Sequence, residues 1–220
     1  MTLNRFEETE FADNPEPRCA VVLALDVSGS MAGQPIAELN AGLKELAQAL
    51  KADKLASLRV ELAMVTFGGS LTIIDFVPAD AFQPPNLIAN GSTPMGAAVQ
   101  KALALLHERK DTYKRNGLDY FRPWLFLITD GVPTDVWETA ADRARDEEER
   151  KGVSVYAIGV QDADLQTLAR FSAVRPPLML QGLAFRDLFV WLSKSLSAVA
   201  QSQPGQQIAL PPVGWGQTKA

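Results

Sequence analysis

Short, almost continuously apolar runs alternate along the chain with segments in which apolar residues recur every three or four positions. Residues 20–26 (AVVLALD) form the most apolar run, and residues 124–129 and 154–160 are similar. Near-continuous hydrophobicity indicates strands buried on both faces, as in a mostly parallel sheet covered by helices. The pattern therefore predicts an α/β fold in which residues 20–26 form a central strand with Asp26 at its carboxyl end.

Helices are predicted between these strands. A first helix begins near Pro35 and carries one apolar stripe, formed by Ile36, Leu39, Leu43, Leu46 and Leu50. A second helix opens at Pro94, and a third follows Pro133, with Asp135 and Glu138 as a capping pair at its start. Residues 185–199 form a last amphipathic helix. Helices are thus expected on both faces of the sheet.

Residues 59–67 and 71–77 lie close enough together to form a hairpin, which adds one antiparallel edge strand to the sheet. Residues 1–18 and 201–220 lack clear periodicity and are predicted to be an N-terminal extension and a C-terminal tail. The domain itself is predicted to span residues 19–200. Trp215 in the tail either covers an apolar patch of its own domain or meets a partner.

Composition narrows the classes of partner and environment. The 220 residues suffice for one domain, and 21 Lys and Arg against 26 Asp and Glu give a net charge of -5. This charge disfavours nucleic acid as a partner. The single cysteine, Cys19, lies in an apolar run and is predicted to be a buried hydrophobe. Without an apolar stretch long enough to span a bilayer, the chain is expected to be cytoplasmic, with no membrane contact.

Five side chains with oxygen donors fall at predicted ends of elements. Asp26, Ser28 and Ser30 follow the first strand, Thr93 precedes the second helix, and Asp130 follows the strand at 124–129. Loops at the carboxyl ends of parallel strands gather on one edge of a sheet, so we expect these oxygens to converge. Oxygen ligands without His or Cys favour a hard ion, with Mg²⁺ preferred and Mn²⁺ or Ca²⁺ as alternatives.

Each of these residues also has an ordinary structural interpretation. Ser, Asp and Gly are common in turns, so Asp26, Ser28, Ser30 and Asp130 could simply shape loops. Thr93 stands where a helix N-cap is expected. His107 is predicted to be a surface residue, and the charged run 142–151 a solvated helix face. The five residues together nevertheless favour metal binding.

The segments DVSGS at 26–30, GSTPM at 91–95 and TDG at 129–131 together resemble the metal-ion-dependent adhesion site (MIDAS) of von Willebrand factor A (vWA) domains. The resemblance covers approximately residues 19–199. It implies a three-layer Rossmann-like vWA fold, and MIDAS metal binding by the five residues just named. SMAGQPI at 30–36 and TDGVPTD at 129–135 are similar to stand-alone bacterial TerY-type proteins of tellurite resistance.

By this resemblance, we expect a non-enzymatic module of a bacterial stress or tellurite-resistance system. Its bound ion would dock an acidic residue of a partner protein, for which a kinase or a PP2C-like phosphatase of the same system is the candidate. One alternative is a subunit that partners an AAA+ ATPase, as in chelatases. Another is a metal-dependent phosphohydrolase with Asp26 as nucleophile, which is disfavoured because Ser28 stands where that chemistry uses a second acid.

Overall fold

The computed structural model describes residue 11 and residues 14–217. Within these residues, seven strands form one sheet in the order β3-β2-β1-β4-β5-β6-β7. The strands are β1 (Cys19–Asp26), β2 (Val60–Phe67), β3 (Leu71–Pro78), β4 (Trp124–Thr129), β5 (Ser154–Gly159), β6 (Leu178–Leu180) and β7 (Gly216–Gln217). The helices are α1 (Gln34–Ala52), α2 (Lys54–Arg59), α3 (Met95–Arg115), α4 (Glu138–Glu149), α5 (Leu165–Ala169) and α6 (Phe185–Ala200).

The sheet is mostly parallel, which confirms the predicted fold class. Strand β1 pairs in parallel with β2 on one side and with β4 on the other, and all its residues are buried. Alternate β1 side chains enter two apolar layers. One layer includes the stripe of α1 together with α6, and the other includes α3 and α4. The continuous hydrophobicity of β1 is therefore explained by burial on both faces.

The sheet has two antiparallel edge strands, whereas the sequence predicted one. Strand β3 pairs with β2 as expected, and the short β7 pairs with β6 through Leu180 and Gly216. Two residues in a Gly- and Pro-containing segment are too few to show strand periodicity, so β7 could not be predicted. Helix α2 was also unpredicted, and Asp53 caps it by accepting hydrogen bonds from Leu55 and Ala56.

The C-terminal segment returns to the domain at Trp215. This side chain is only 2% exposed, and its ring centroid lies 5.5 Å from that of Trp191 on α6. Of the two alternatives for Trp215, burial against its own domain is the one observed. The predicted boundary at residue 200 remains a prediction, and much of the predicted N-terminal extension, residues 1–10 and 12–13, lies outside the described residues.

The charged run 142–151 differs from its prediction at Glu148. This residue is 1% exposed, so the run is not a uniformly solvated face. The Glu148 carboxylate accepts hydrogen bonds from three backbone amides and the Ser172 hydroxyl, and it pairs with Arg175. The partners come from β5 and the loop before β6, which helical periodicity cannot reveal. Glu148 therefore holds the loop before β6 against α4.

Two smaller predictions concern single residues. Cys19 is fully buried in β1, as predicted, and burial raises the pKa of its thiol to about 12, to which the nearby charge of Glu61 adds. His107 is partly exposed, with Nε2 3.2 Å from Glu147 Oε1. No helix among the described residues is both long and apolar enough to cross a membrane.

Candidate metal site

Three loops meet at the carboxyl edge of the sheet. Strands β1 and β4 are adjacent and parallel, with Leu25 opposite Ile128, so Asp26 and Asp130 leave the sheet on neighbouring strands. The third loop leads to Thr93 and is joined to the first through Gly29, whose N–H donates to Gly91 O at 3.0 Å. Strand order thus brings the Asp26 and Asp130 segments together, and the Gly29–Gly91 hydrogen bond joins the Thr93 segment to them.

A chain of hydrogen bonds links four of the predicted ligands. Ser28 N donates to Asp26 Oδ1 at 2.7 Å, and the hydroxyl oxygens of Ser28 and Ser30 lie 3.0 Å apart. Ser30 Oγ then donates to Asp130 Oδ1 at 2.8 Å. Between these residues, Gly29–Met31 forms a 3-10 turn. The oxygens converge through that turn.

Thr93 reaches the same place from the other side of Gly131. A Cβ atom built on Gly131 would lie 3.0 Å from Thr93 Oγ1 and 3.5 Å from Asp26 Oδ2. Both oxygens therefore lie close to the position that a side chain at residue 131 would occupy. Thr93 itself is 5% exposed. The structure thus brings all five predicted side chains together.

The alternative interpretation of Thr93 as a helix cap is not supported. Helix α3 begins at Met95, and the side chain of its N-cap residue, Pro94, accepts no hydrogen bond from the helix. Instead Asp135 supplies the acceptors, with Oδ1 bound by Gly96 N at 3.0 Å and Oδ2 by Ala97 N at 2.8 Å. Asp135 was predicted to cap the helix that follows it, and this prediction is wrong: it caps α3.

The surroundings of Asp26 and Asp130 disfavour negative charge on their carboxylates. Burial is the main cause that raises the pKa of Asp26, and the Asp130 charge adds to it, against hydrogen bonds from Thr129 and Ser28. Burial also raises the pKa of Asp130, with the Ser30 hydrogen bond acting in the opposite direction. Asp26 is fully buried, whereas Ser30 is exposed and Asp130 half-buried. A cation entering beside Ser30 and Asp130 would offset this charge.

The donor set fits a hard divalent cation. Two carboxylates and three hydroxyls provide only oxygen, which suits Mg²⁺ or Mn²⁺ rather than zinc. Among the described residues, no group of three or more His, Cys, Asp or Glu side chains is placed to hold a metal ion. The candidate site contributes only two such side chains, Asp26 and Asp130, and its other donors are hydroxyls. The space beside Gly131 and the hydrogen-bonded oxygens are therefore consistent with the ion that the sequence predicts.

Comparison with known proteins agrees with this architecture. The von Willebrand factor type A domain family matches residues 20–185. The chain belongs to the vWA family. vWA domains are generally adhesion and protein-interaction modules. No curated protein matches the sequence.

Several solved structures share this vWA fold. The pilus adhesin SpaC of Lactobacillus rhamnosus GG in its open conformation is 15% identical, with a TM-score of 0.67, over 84% of this chain and 31% of SpaC. A von Willebrand factor type A protein of Catenulispora acidiphila is 15% identical, with a TM-score of 0.63, over 83% and 43% of the two chains. The manganese-loaded TRAP protein of Plasmodium vivax is 23% identical, with a TM-score of 0.52, over 72% and 64%. The chain thus spans about a third of the length of SpaC.

Two threonines of this vWA domain support the predicted ligands and were missed by sequence reasoning. Thr129 Oγ1 donates to Asp26 Oδ2 at 2.5 Å and accepts from Gly131 N at 3.1 Å. Thr134 Oγ1 accepts from Thr93 N at 3.1 Å. Thr129 directly precedes a predicted ligand at a strand end, so its position in the sequence could have identified it as a supporting residue. The Thr134 contact joins segments 41 residues apart and leaves no pattern in sequence.

Proposed function

We propose that this vWA domain is a divalent-metal-dependent protein-binding module. Asp26, Ser28, Ser30, Thr93 and Asp130 would hold the ion, with Mg²⁺ preferred and Mn²⁺ or Ca²⁺ as alternatives. The convergence of these five side chains at one edge of the sheet is the observation that carries the proposal. The bound ion would supply a concentrated positive charge that attracts a carboxylate of the partner.

The surroundings of the site favour a protein as partner. Three large apolar side chains on the loops that carry Thr93 and Asp130 are strongly exposed: Ile88 at 73%, Val132 at 64% and Val136 at 77%. Exposed apolar residues around a polar centre are typical of interaction surfaces. The partner would therefore place an acidic residue at the ion and apolar groups against these loops.

The identity of the ion and the biological setting are further parts of the proposal. The TRAP structure, which shares this fold, is manganese-loaded, and this supports a divalent cation as the ion that the present chain binds. The resemblance of residues 30–36 and 129–135 to TerY-type proteins supports a role in bacterial stress or tellurite resistance. The partner would then be a kinase or a PP2C-like phosphatase of that system.

A docking function is favoured over catalysis by the position of Asp26. Its side chain is fully buried, Oδ1 accepts from Ser28 N, and Oδ2 accepts from Thr129 Oγ1. A nucleophile must approach its substrate, whereas an ion-holding group needs only to face the ion. We therefore assign Asp26 to holding the metal.

Titration calorimetry with Mn²⁺ tests the metal site. The wild-type chain should bind one ion, and Asp26→Asn and Asp130→Asn should each lower the affinity by at least about tenfold, because each removes a charged ligand. Asp75→Asn is the matched control, since Asp75 is exposed on β3. Equal affinity in all four proteins would refute the assignment.

Docking is then tested by partner affinity with and without chelator, and unchanged affinity after chelation would refute it.

A further inference from the structure

The loop after β4 is attached to the start of α3 and the residue before it by four hydrogen bonds, none of which involves a proposed ligand oxygen. Thr93 and Thr134 form a reciprocal pair: Thr134 N donates to Thr93 O at 2.9 Å, and Thr93 N donates to Thr134 Oγ1 at 3.1 Å. Asp135 accepts from the amides of Gly96 and Ala97 at 3.0 and 2.8 Å. Residues 134–135 thus connect the segment that carries Asp130 with the segment that carries Thr93.

The two segments also pack closely beside these bonds. A Cβ on Gly96 would lie 2.7 Å from Trp137 Cα and closer still to the carbonyl oxygen of Val136, so only glycine allows this approach. Trp137 is anchored on its other side by Phe171, with ring centroids 5.7 Å apart. The loop after β4 is therefore held between α3 and the residues that follow α5.

We propose that Asp135, assisted by Thr134, is a positioning residue that sets the separation of Thr93 and Asp130 before the ion binds. The inference rests on the proposed metal site. A carboxylate is stabilised at the positive end of α3, so Asp135 is a strong anchor for its loop. Metal ligands held in place in advance lose less freedom on binding, which raises affinity.

This assignment differs from simple helix capping in what it predicts. Asp53 caps α2 in the same chemical way, with Oδ1 accepting from Leu55 N at 3.0 Å and Ala56 N at 2.9 Å. Both aspartates are half-buried. Asp53, however, lies between α1 and α2, away from the loops of the proposed site. The chain therefore contains a matched cap whose loss should affect stability alone.

The test compares Mn²⁺ affinity, measured by titration calorimetry, with thermal stability in chelator. Asp135→Ala should weaken Mn²⁺ binding about tenfold or more, as loss of supporting partners around metal ligands does. Asp53→Ala should lower the melting temperature to a similar degree while leaving Mn²⁺ affinity unchanged. Asp135→Asn, which retains an acceptor oxygen, should recover part of the affinity. Thr134→Val should weaken binding several-fold with little loss of stability.

Wild-type Mn²⁺ affinity in both Asp135→Ala and Thr134→Val would overturn the inference. An equal loss of affinity in Asp135→Ala and Asp53→Ala would also overturn it, because the effect would then follow general stability. Thr134→Val decides the matter if Asp135→Ala does not fold. A wild-type chain that binds no Mn²⁺ would instead refute the proposed metal site, and the inference with it.

Discussion

Gly131 offers a direct test of whether Thr93 and Asp26 face a common space. An added Cβ would lie 3.0 Å from Thr93 Oγ1, 3.4 Å from Thr93 Cγ2 and 3.5 Å from Asp26 Oδ2. The first of these distances is tighter than an ordinary contact, so Thr93 must move by a few tenths of an ångström. Its backbone is held by Thr134, so relief requires rotation of the Thr93 side chain or displacement of the loop.

The expected effect of Gly131→Ala on stability is small. The φ angle of Gly131 is not positive, so alanine brings no left-handed strain there. The lower entropy of the unfolded chain favours alanine by about 0.4–1 kcal/mol, and the tight contact costs about 1–3 kcal/mol. A net loss of about 1 kcal/mol is expected. Mn²⁺ affinity should fall about tenfold, because the methyl group would lie close to two of the proposed ligand oxygens and displace them.

Titration calorimetry with Mn²⁺ and melting curves in chelator separate these two effects. Gly214→Ala is the control, because a Cβ at Gly214 would meet nothing within 4 Å. Wild-type Mn²⁺ affinity in a folded Gly131→Ala protein would refute the reasoning that the two oxygens share this space. A loss of affinity matched by Gly214→Ala would refute it as well.

Three further predictions concern stability. Glu148→Gln should lower the free energy of unfolding by about 2 kcal/mol at pH 7 in urea titrations. Although burial raises the pKa of the Glu148 carboxyl group, its hydrogen bonds outweigh burial and hold that pKa below the ordinary 4.5. The difference should therefore shrink as the pH falls below 4.5, and a pH-independent difference would contradict this cause. In chelator, Asp26→Asn should raise the melting temperature at pH 7, because burial and Asp130 raise the pKa of Asp26 above 3.8 and its ionisation therefore costs stability. This gain should vanish below pH 3.8, and an unchanged melting temperature at pH 7 would contradict the prediction. Trp215→Ala should cost about 3 kcal/mol in urea titrations, and a near-wild-type stability would show that the buried tail contributes little.

The sequence was most informative where local pattern and burial coincide. Strand β1 is buried between two apolar layers and the stripe of α1 belongs to one of them, so the apolar pattern predicted both. The pattern also predicted the hairpin of β2 and β3. The convergence of Asp26 and Asp130 could be predicted because parallel strands deliver their carboxyl ends to one edge, whereas Thr93 reaches that edge through the loop after the antiparallel strand β3. Glycines at tight approaches, such as Gly96 and Gly131, could not be recognised before the opposing segment was known.

The remaining features depend on contacts between distant segments. Asp135 has the local spacing of a cap for α4, yet the tertiary fold gives its carboxylate to α3. Glu148 sits in a strongly charged run, yet it is buried because β5 and the loop before β6 supply donors. Trp215 was ambiguous because a tail without periodicity does not show where it packs. In each case the deciding partner lies elsewhere in the chain.

The central claim is that an ion held by the five oxygens, rather than another surface, carries partner binding. Affinity capture from the native cell tests this with the wild-type chain in Mg²⁺, the wild-type chain in chelator, and Asp26→Ala in Mg²⁺. We expect a partner that is retained only in the first condition, and that rebinds when Mg²⁺ is restored to the chelated sample. A specific partner retained equally in all three conditions would contradict the claim.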